Sequence, residues 1–364
     1  MIDSTVAWIA LGLACAPDGQ TLRAIRERCA SPMTILVNDA EGEGVDLLLP
    51  PPAREASLKQ MAAARREAEG VRAIGGEVVG FGDARYPPLL REIGDPPAWI
   101  SLLGNPGEAD GAAVAIVGSR DASLAGEQRA FEWALWLARR GVAIVSGFAR
   151  GIDAAAHRGA LAGGGRTVAV LGCGPDVLYP RAHGALRAQV LDAGGAILSE
   201  FPLGTRPARW TFPRRNRLIS GLSHGVLVVQ AQARSGTLIT ARCAGDQGRE
   251  VWAVPGAPED PRARGTNALL RQGARLVENP AEVLEDLVPW AGARQRDEGA
   301  CAQAIADQSD EEKNLLAAME HRPVDIDTLA LRARLPVTAI AALLLGLELR
   351  GQVRRTEGMR FQRS

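Results

Sequence analysis

The chain has 364 residues and a mass of 38.4 kDa, more than the roughly 100 to 200 residues of one domain, so two or three domains are expected. Hydrophobic residues at 46% and charged residues at 23% allow a sizeable core and exclude a disordered chain. Lys+Arg and Asp+Glu balance at 42 each, so the globally basic footprint of many nucleic-acid binders is absent and any basic site must be local.

Residues 1–75 read as a helical domain of the SAM or helix-hairpin-helix kind. Val6 to Leu13 is an apolar run, Thr21 to Cys29 is amphipathic, and Ser57 to Val71 is rich in Ala, Arg and Glu, a strong helix-forming mixture. Pro50-Pro51-Pro52 interrupts the set. The apolar stretch Val6 to Ala16 falls short of the roughly 20 residues of a bilayer crossing. Asp3 stands where a signal peptide carries positive charge. The expectation is a cytoplasmic chain with no membrane partner.

From Gly76 short apolar runs bounded by glycine alternate with helix-like segments, the pattern of a parallel sheet covered on both faces. The runs are Val114 to Val117, Val142 to Val145, Thr167 to Leu171, Ala196 to Leu198, Val226 to Val229 and Val251 to Val254. Helices fit between them at Leu124 to Arg140, Asp153 to Ala162, His183 to Ala193, Phe212 to Gly221 and Thr237 to Asp246. Residues 76–290 are therefore expected to form an α/β domain, an extended Rossmann-like, doubly wound parallel sheet. A polar stretch follows, with a linker at 291–304. In residues 305–364, Asp325 and Asp327 are candidate caps before Leu329 to Arg332, Thr338 to Leu349 reads as a second helix, and Gly351 to Phe361 reads as a hairpin. That order predicts a winged helix. Its second helix carries Glu348 as its only charge, which argues against sequence-specific base readout.

Several ligand chemistries drop out. Lys59 and Lys313 are the only lysines and neither follows glycine, so a Walker A loop is excluded. Cys15, Cys29, Cys173, Cys243 and Cys301 are scattered without C-x-x-C spacing, beside only four histidines. Neither a disulfide framework nor a metal cage is supported, and no cofactor is expected. Asp153 and His157 share one helical turn, but no serine or cysteine sits in a G-x-S-x-G elbow, so both are assigned structural roles.

In a doubly wound sheet ligands bind outside the carboxyl ends of the strands. The loops there carry Gly118-Ser119-Arg120, Ser146-Gly147 through Gly151, Gly172-Cys173-Gly174 and Ser235-Gly236-Thr237. Glycine lets backbone N–H groups approach an anion, and a following helix N-terminus adds partial positive charge, so this edge reads as a phosphate cradle. From Phe201 to Gly245 there is no Asp or Glu, yet Arg206, Arg209, Arg214, Arg215, Arg217, Arg234 and Arg242 all fall inside. Trp210 and Phe212 are interleaved with them. Arginines for phosphates beside rings for bases are what a single-stranded nucleic acid requires.

Tyr86-Pro87-Pro88-Leu89-Leu90, Asp95-Pro96-Pro97, Val114 through Arg120, Ser146-Gly147 to His157, Phe212 through Arg217, Ser235-Gly236-Thr237 and Val254-Pro255-Gly256 follow one another in order. This series resembles the DprA (Smf) family of bacterial DNA-processing proteins, from Tyr86 to Val277. The resemblance implies a non-enzymatic homodimer. It would bind incoming single-stranded DNA in natural transformation, protect it and help load the RecA recombinase. It also implies a DNA pocket at Gly118, Ser119 and Arg120, with Arg209 where the family often has lysine, plus Phe212 and Arg215-Asn216-Arg217. Ser146, Gly147, Arg214, Ser235, Gly236 and Thr237 complete the candidate set. Gln230 stands where the family usually has glutamate. The alternative is a nucleotide phosphoribohydrolase-like enzyme, whose P-G-G-x-G-T-x-x-E signature is replaced here by Pro255-Gly256-Ala257-Pro258.

Overall fold

Alternate residues of each central strand face two different cores, and this division builds the larger part of the molecule. The computed structural model describes residues 4–287 except 16, 29–31, 38–48 and 106–110. Beyond 287 it describes 315, 319, 324–333, 335, 340, 343–344, 347, 353–356 and 360–363. Two units separate by their contacts, residues 1–294 and 295–364.

In the first unit nine strands form one sheet: β1 (Gly76–Gly80), β2 (Trp99–Gly104), β3 (Ala113–Val117), β4 (Ala143–Ser146), β5 (Thr167–Val170), β6 (Ala196–Ser199), β7 (Gly225–Val228), β8 (Glu250–Ala253) and β9 (Arg275–Leu276). Their spatial order is β1-β2-β6-β5-β4-β3-β7-β8-β9. From β3 the chain winds through β4, β5 and β6 to one side, then returns to place β7 on the other. The pairs from β6 through to β9 are parallel, as expected. The first two strands were absent from the sequence reading and are antiparallel additions, β2 on β6 and β1 on β2. β2 is a run of five buried residues that follows Pro96-Pro97, and β1 has glycine at both ends, so neither shows the period-2 signature of a half-buried strand.

Val114 and Ile116 of β3 point to a core shared with Trp133, Ala134 and Leu137 of the helix Leu124–Arg139 and Ile152 and Ala156 of the helix Ile152–Ala162. Ala113, Ala115 and Val117 point the other way, as the pleat requires. That second core includes Leu218 and Ile219 of the helix Thr211–Gly221 and Ala241 and Ala244 of the helix Thr237–Asp246. It also includes Trp8, Ile9 and Leu11 of the helix Ser4–Cys15 and Val71 of the helix Met61–Ala73. Trp8 meets Phe81 edge to face at 5.9 Å. Residues 1–75, expected as a domain of their own, thus belong to the first compact unit, because their apolar faces find cover against the sheet.

Two local expectations are corrected. Pro50-Pro51-Pro52 does not interrupt the helices but opens one, Pro51–Lys59, since proline at the first helical positions loses no needed N–H. The expected helix Ser57 to Val71 is two helices, Pro51–Lys59 and Met61–Ala73, divided at Gln60.

In the second unit β10 (Val324–Asp325), β12 (Arg360–Arg363) and β11 (Val353–Thr356) form a three-stranded sheet in that order. Asp325 caps the helix Ile326–Ala333, accepting the Thr328 N–H at 2.8 Å. The expected helix Thr338 to Leu349 lies partly outside the described residues. Those described are helical at 340, 343, 344 and 347, and Ile340, Leu344 and Leu347 are buried against Leu329, Val353 and Phe361. The linker at 291–304 lies outside the described residues.

Candidate nucleic-acid interface

The loops after β3, β4, β5 and β7 meet where the winding direction of the sheet reverses, the place where α/β sheets leave a crevice. Ser119 N–H donates to the Gln230 carbonyl at 2.8 Å, and Thr237 Oγ1 donates to the Gly118 carbonyl at 2.9 Å. These bonds join the β3 loop to the β7 loop. Ser235 Oγ donates to Thr237 Oγ1 at 2.9 Å and accepts the Thr237 N–H at 3.2 Å, so the helix Thr237–Asp246 starts at the crevice with Gly236 exposed. Gln230 accepts the Ser123 N–H at 3.0 Å and donates to Ser123 Oγ at 2.9 Å. Its amide is spent on capping the helix Leu124–Arg139.

Beneath the loops lies a layer of buried polar groups. Ser146 Oγ donates inward to the Ile116 carbonyl at 2.6 Å. Arg215, 3% exposed, donates to the carbonyls of Gly147 and Val170 at the ends of neighbouring strands. Burial lowers its pKa to about 10, opposed by the charge of Asp153. Asp153, buried in the first turn of its helix, has its pKa raised by that burial, with Arg215 the largest opposing influence. Gly147 separates the two groups: a Cβ there would lie 2.7 Å from Asp153 Oδ2 and 2.8 Å from Arg215 Nη2. Asn216 is buried and donates to the Gly236 carbonyl at 3.2 Å. Arg217 pairs with Glu200 at 2.6 Å and Asp95 at 2.9 Å, and Arg214, half exposed, reaches Glu200 at 3.5 Å. Of the arginine-rich run, Arg215 and Arg217 are therefore committed within the fold, in place of the expected free phosphate contacts. Their counter-charges come from outside the acid-free stretch.

Above this layer lie the accessible groups. Arg120 is exposed, its guanidinium 4.7 Å from the centre of the Phe212 ring. That ring packs against Gly172, where a Cβ would lie 2.8 Å from Phe212 Cδ1. Tyr179, 41% exposed, stands 5.8 Å from the ring. Arg209 is exposed, and Trp210 is 59% exposed beside Phe201 at 5.8 Å. Exposed cationic groups and the exposed rings of Tyr179 and Trp210 thus lie on the loops of this edge, able to hold anionic and aromatic parts of one ligand.

Three contributions escaped the sequence reading. Glu200 lies one residue outside the acid-free run, directly after β6, a position signalled only by its place at a strand end. Phe148 has a positive φ of 59° and is wedged between His157 and His183, at ring distances of 5.7 and 5.2 Å. Such backbone conformations cluster at functional loops. Glu67, from the N-terminal helices, accepts the Leu203 N–H at 3.0 Å and so anchors the loop that leads to Arg209. His157 and Asp153 are both buried. Nδ1 of His157 bonds Thr167 Oγ1 at 2.7 Å, and because that hydroxyl donates to the Ile144 carbonyl, the ring carries its proton on Nδ1.

The sequence matches the family model of the DNA recombination-mediator protein A over residues 77–288 and that of the DprA winged helix domain over residues 300–359. It is 43% identical to protein Smf of Escherichia coli K12 over 279 residues, 75% of this chain and 74% of the relative. It is 34% identical to a putative DNA processing protein DprA of Mycobacterium tuberculosis over 375 aligned positions, 98% of this chain and 94% of the relative. The X-ray structure of DprA from Streptococcus pneumoniae superposes with a TM-score of 0.56 at 33% identity, covering 72% of this chain and 86% of that one. A Helicobacter pylori DprA, described with its single-stranded DNA binding mode, superposes with a TM-score of 0.52 at 28% identity, covering 59% and 96%. Among the described residues no helix is long and apolar enough to cross a membrane. With the winding order of the sheet, the crevice at its reversal and matches over both units, the chain belongs to the DprA/Smf family of DNA recombination-mediator proteins.

Proposed function

We propose that the chain binds single-stranded DNA at the carboxyl edge of its sheet, protects it, and helps load the RecA recombinase during natural transformation and homologous recombination. It acts in the cytoplasm as a homodimer, by binding and without covalent catalysis. The observation that carries the binding reading is the Arg120–Phe212 pair seated on Gly172, with Arg209 and Trp210 open beside it. The RecA, transformation and dimer parts rest on the family resemblance. Asp153, buried beneath the cradle loops, is held there by Arg215 and the Ala149 N–H, which leaves it no access to a glycosidic bond. Release of free base from nucleoside monophosphates would overturn the non-enzymatic reading.

Titration with a labelled oligo-dT at several salt concentrations tests the site. Arg120→Ala and Arg209→Ala should each flatten the salt dependence by about 0.7 and weaken all sequences alike. Phe212→Ala should cost about 1–3 kcal/mol of binding while leaving the slope unchanged. Because Arg120 lies on Phe212, their effects should not add. Unchanged affinity in both arginine variants would sink the assignment. Light scattering should show a dimer for the full chain and for residues 1–290. The shorter 76–290 segment would lose Trp8, Ile9 and Leu11 from its core.

A further inference from the structure

Resting on the strand-binding reading above, we propose that Glu67 and Gly70 of the helix Met61–Ala73 are positioning residues for the bound strand. Together they form a socket that seats the turn Pro202–Thr205, and the seated turn fixes Arg209 and Trp210 at the rim of the crevice.

The turn needs partners from outside itself. Thr205 N–H donates to the Pro202 carbonyl at 3.1 Å, and Gly204 takes a positive φ of 73°, which glycine allows at the third position of such a turn. The N–H groups of the two corner residues, Leu203 and Gly204, take no part in that bond. Each meets a carboxylate from a distant part of the chain. Glu67 accepts the Leu203 N–H through both oxygens, at 3.0 and 3.2 Å. Asp176, from the loop after β5, accepts the Gly204 N–H at 2.9 and 3.0 Å. Gly174 N–H completes the clamp by donating to the Thr205 carbonyl at 2.9 Å.

The helix is shaped to this turn. Gly70 lies one helical turn after Glu67 on the same face, and a Cβ there would lie 2.5 Å from Leu203 Cδ1. Leu203 is partly buried against the core to which that helix contributes Val71. Glycine weakens a helix, and a carboxylate is costly to bury, yet Glu67 is only 8% exposed. Two unfavourable residues on one face are both explained by the turn they hold. Beyond the turn, Ala208 N–H donates to Thr211 Oγ1 at 3.1 Å, at the start of the helix Thr211–Gly221. The short stretch carrying Arg209 and Trp210 is therefore tied at both ends. A cation already held in place binds without the ordering cost of a free loop, so the N-terminal helices act on the strand through the rim.

The test is a set of double-mutant cycles on the full-length protein with labelled oligo-dT at several salt concentrations, with a melting curve for each variant. Glu67→Ala should weaken binding about three- to tenfold, because the apparent Kd rises as the competent fraction of the turn falls. Glu67→Gln keeps an acceptor for the Leu203 N–H and should stay close to the parent. Gly70→Ala favours its helix and displaces the end of a flexible side chain, so it should keep the fold and still bind more weakly. In the Glu67→Ala and Gly70→Ala backgrounds, Arg209→Ala should lose most of its effect on affinity and salt slope, whereas Arg120→Ala should keep its own. A full Arg209→Ala effect in folded protein of either background overturns this inference alone. So does Glu67→Gln binding as weakly as Glu67→Ala, or a loss that falls equally on Arg209 and Arg120. If Arg209→Ala changes nothing in the parent, the rim reading falls and this inference falls with it.

Discussion

The floor and the rim of the crevice are built from the same residue type, drawn largely from the same run of sequence, yet they do different work. On the floor, Arg215 is buried and Arg217 half-buried, each held by groups distant in the chain: the Gly147 and Val170 carbonyls with Asp153 nearby, and Glu200 with Asp95. On the rim, Arg120 and Arg209 are exposed, and Arg120 lies against a ring. A buried guanidinium must be matched by carbonyls or carboxylates because water no longer solvates it. An exposed one keeps its capacity for a phosphate. The difference teaches that local positive charge in a sequence overstates the charge available to a ligand.

The comparison breaks most visibly at Arg215. Arg215→Ala leaves two strand-end carbonyls without donors and Asp153 without its main counter-charge, and should cost about 3–5 kcal/mol of stability. Chemical denaturation checks this, and a loss below about 0.5 kcal/mol would place Arg215 with the rim.

The next effect is in pH. Burial raises the pKa of Glu200 above its ordinary value of 4.5, with Arg217 and Arg214 opposing. The unfolded chain then releases this proton first, so the contribution is fully present below the ordinary value and is lost as pH rises through the raised one. The slope is at most about 1.4 kcal/mol per pH unit. Glu200→Gln should remove that part of the slope in a denaturation series across the window. An unchanged profile would mean Glu200 titrates as a surface group.

Gly172→Ala probes the boundary between the layers. The new methyl would meet Phe212 at its ring, a side chain able to shift, so stability should change little while single-strand affinity falls by about 1 kcal/mol through the displaced stacking surface. Loss of both together would assign Phe212 to the core. Smallest of all, Arg209→Ala should leave the denaturation midpoint within about 0.5 kcal/mol of the parent. Any larger shift would show that the rim, too, is structural.

Much of the chain was legible before the fold was known. The strands from β3 to β8, the helices between them and the hairpin β11–β12 follow from apolar periods and glycine punctuation, which operate within a window of ten to fifteen residues. The cradle loops were legible for a similar reason, since each follows directly on a strand. Three things were not. The apolar face of the helix Ser4–Cys15 announces that it will be covered but not by what, and the sheet supplies the cover. The antiparallel strands β1 and β2 have no alternation to read because β2 is buried on both sides. The roles of the arginines depend on Asp95, Asp153 and Glu200, which only chain crossings bring to them. Periodicity is a local property of the chain, and sequence alone determined what depends on it. Counter-charge and burial are properties of three-dimensional neighbours, and the tertiary structure alone decided which arginines remain open to a strand.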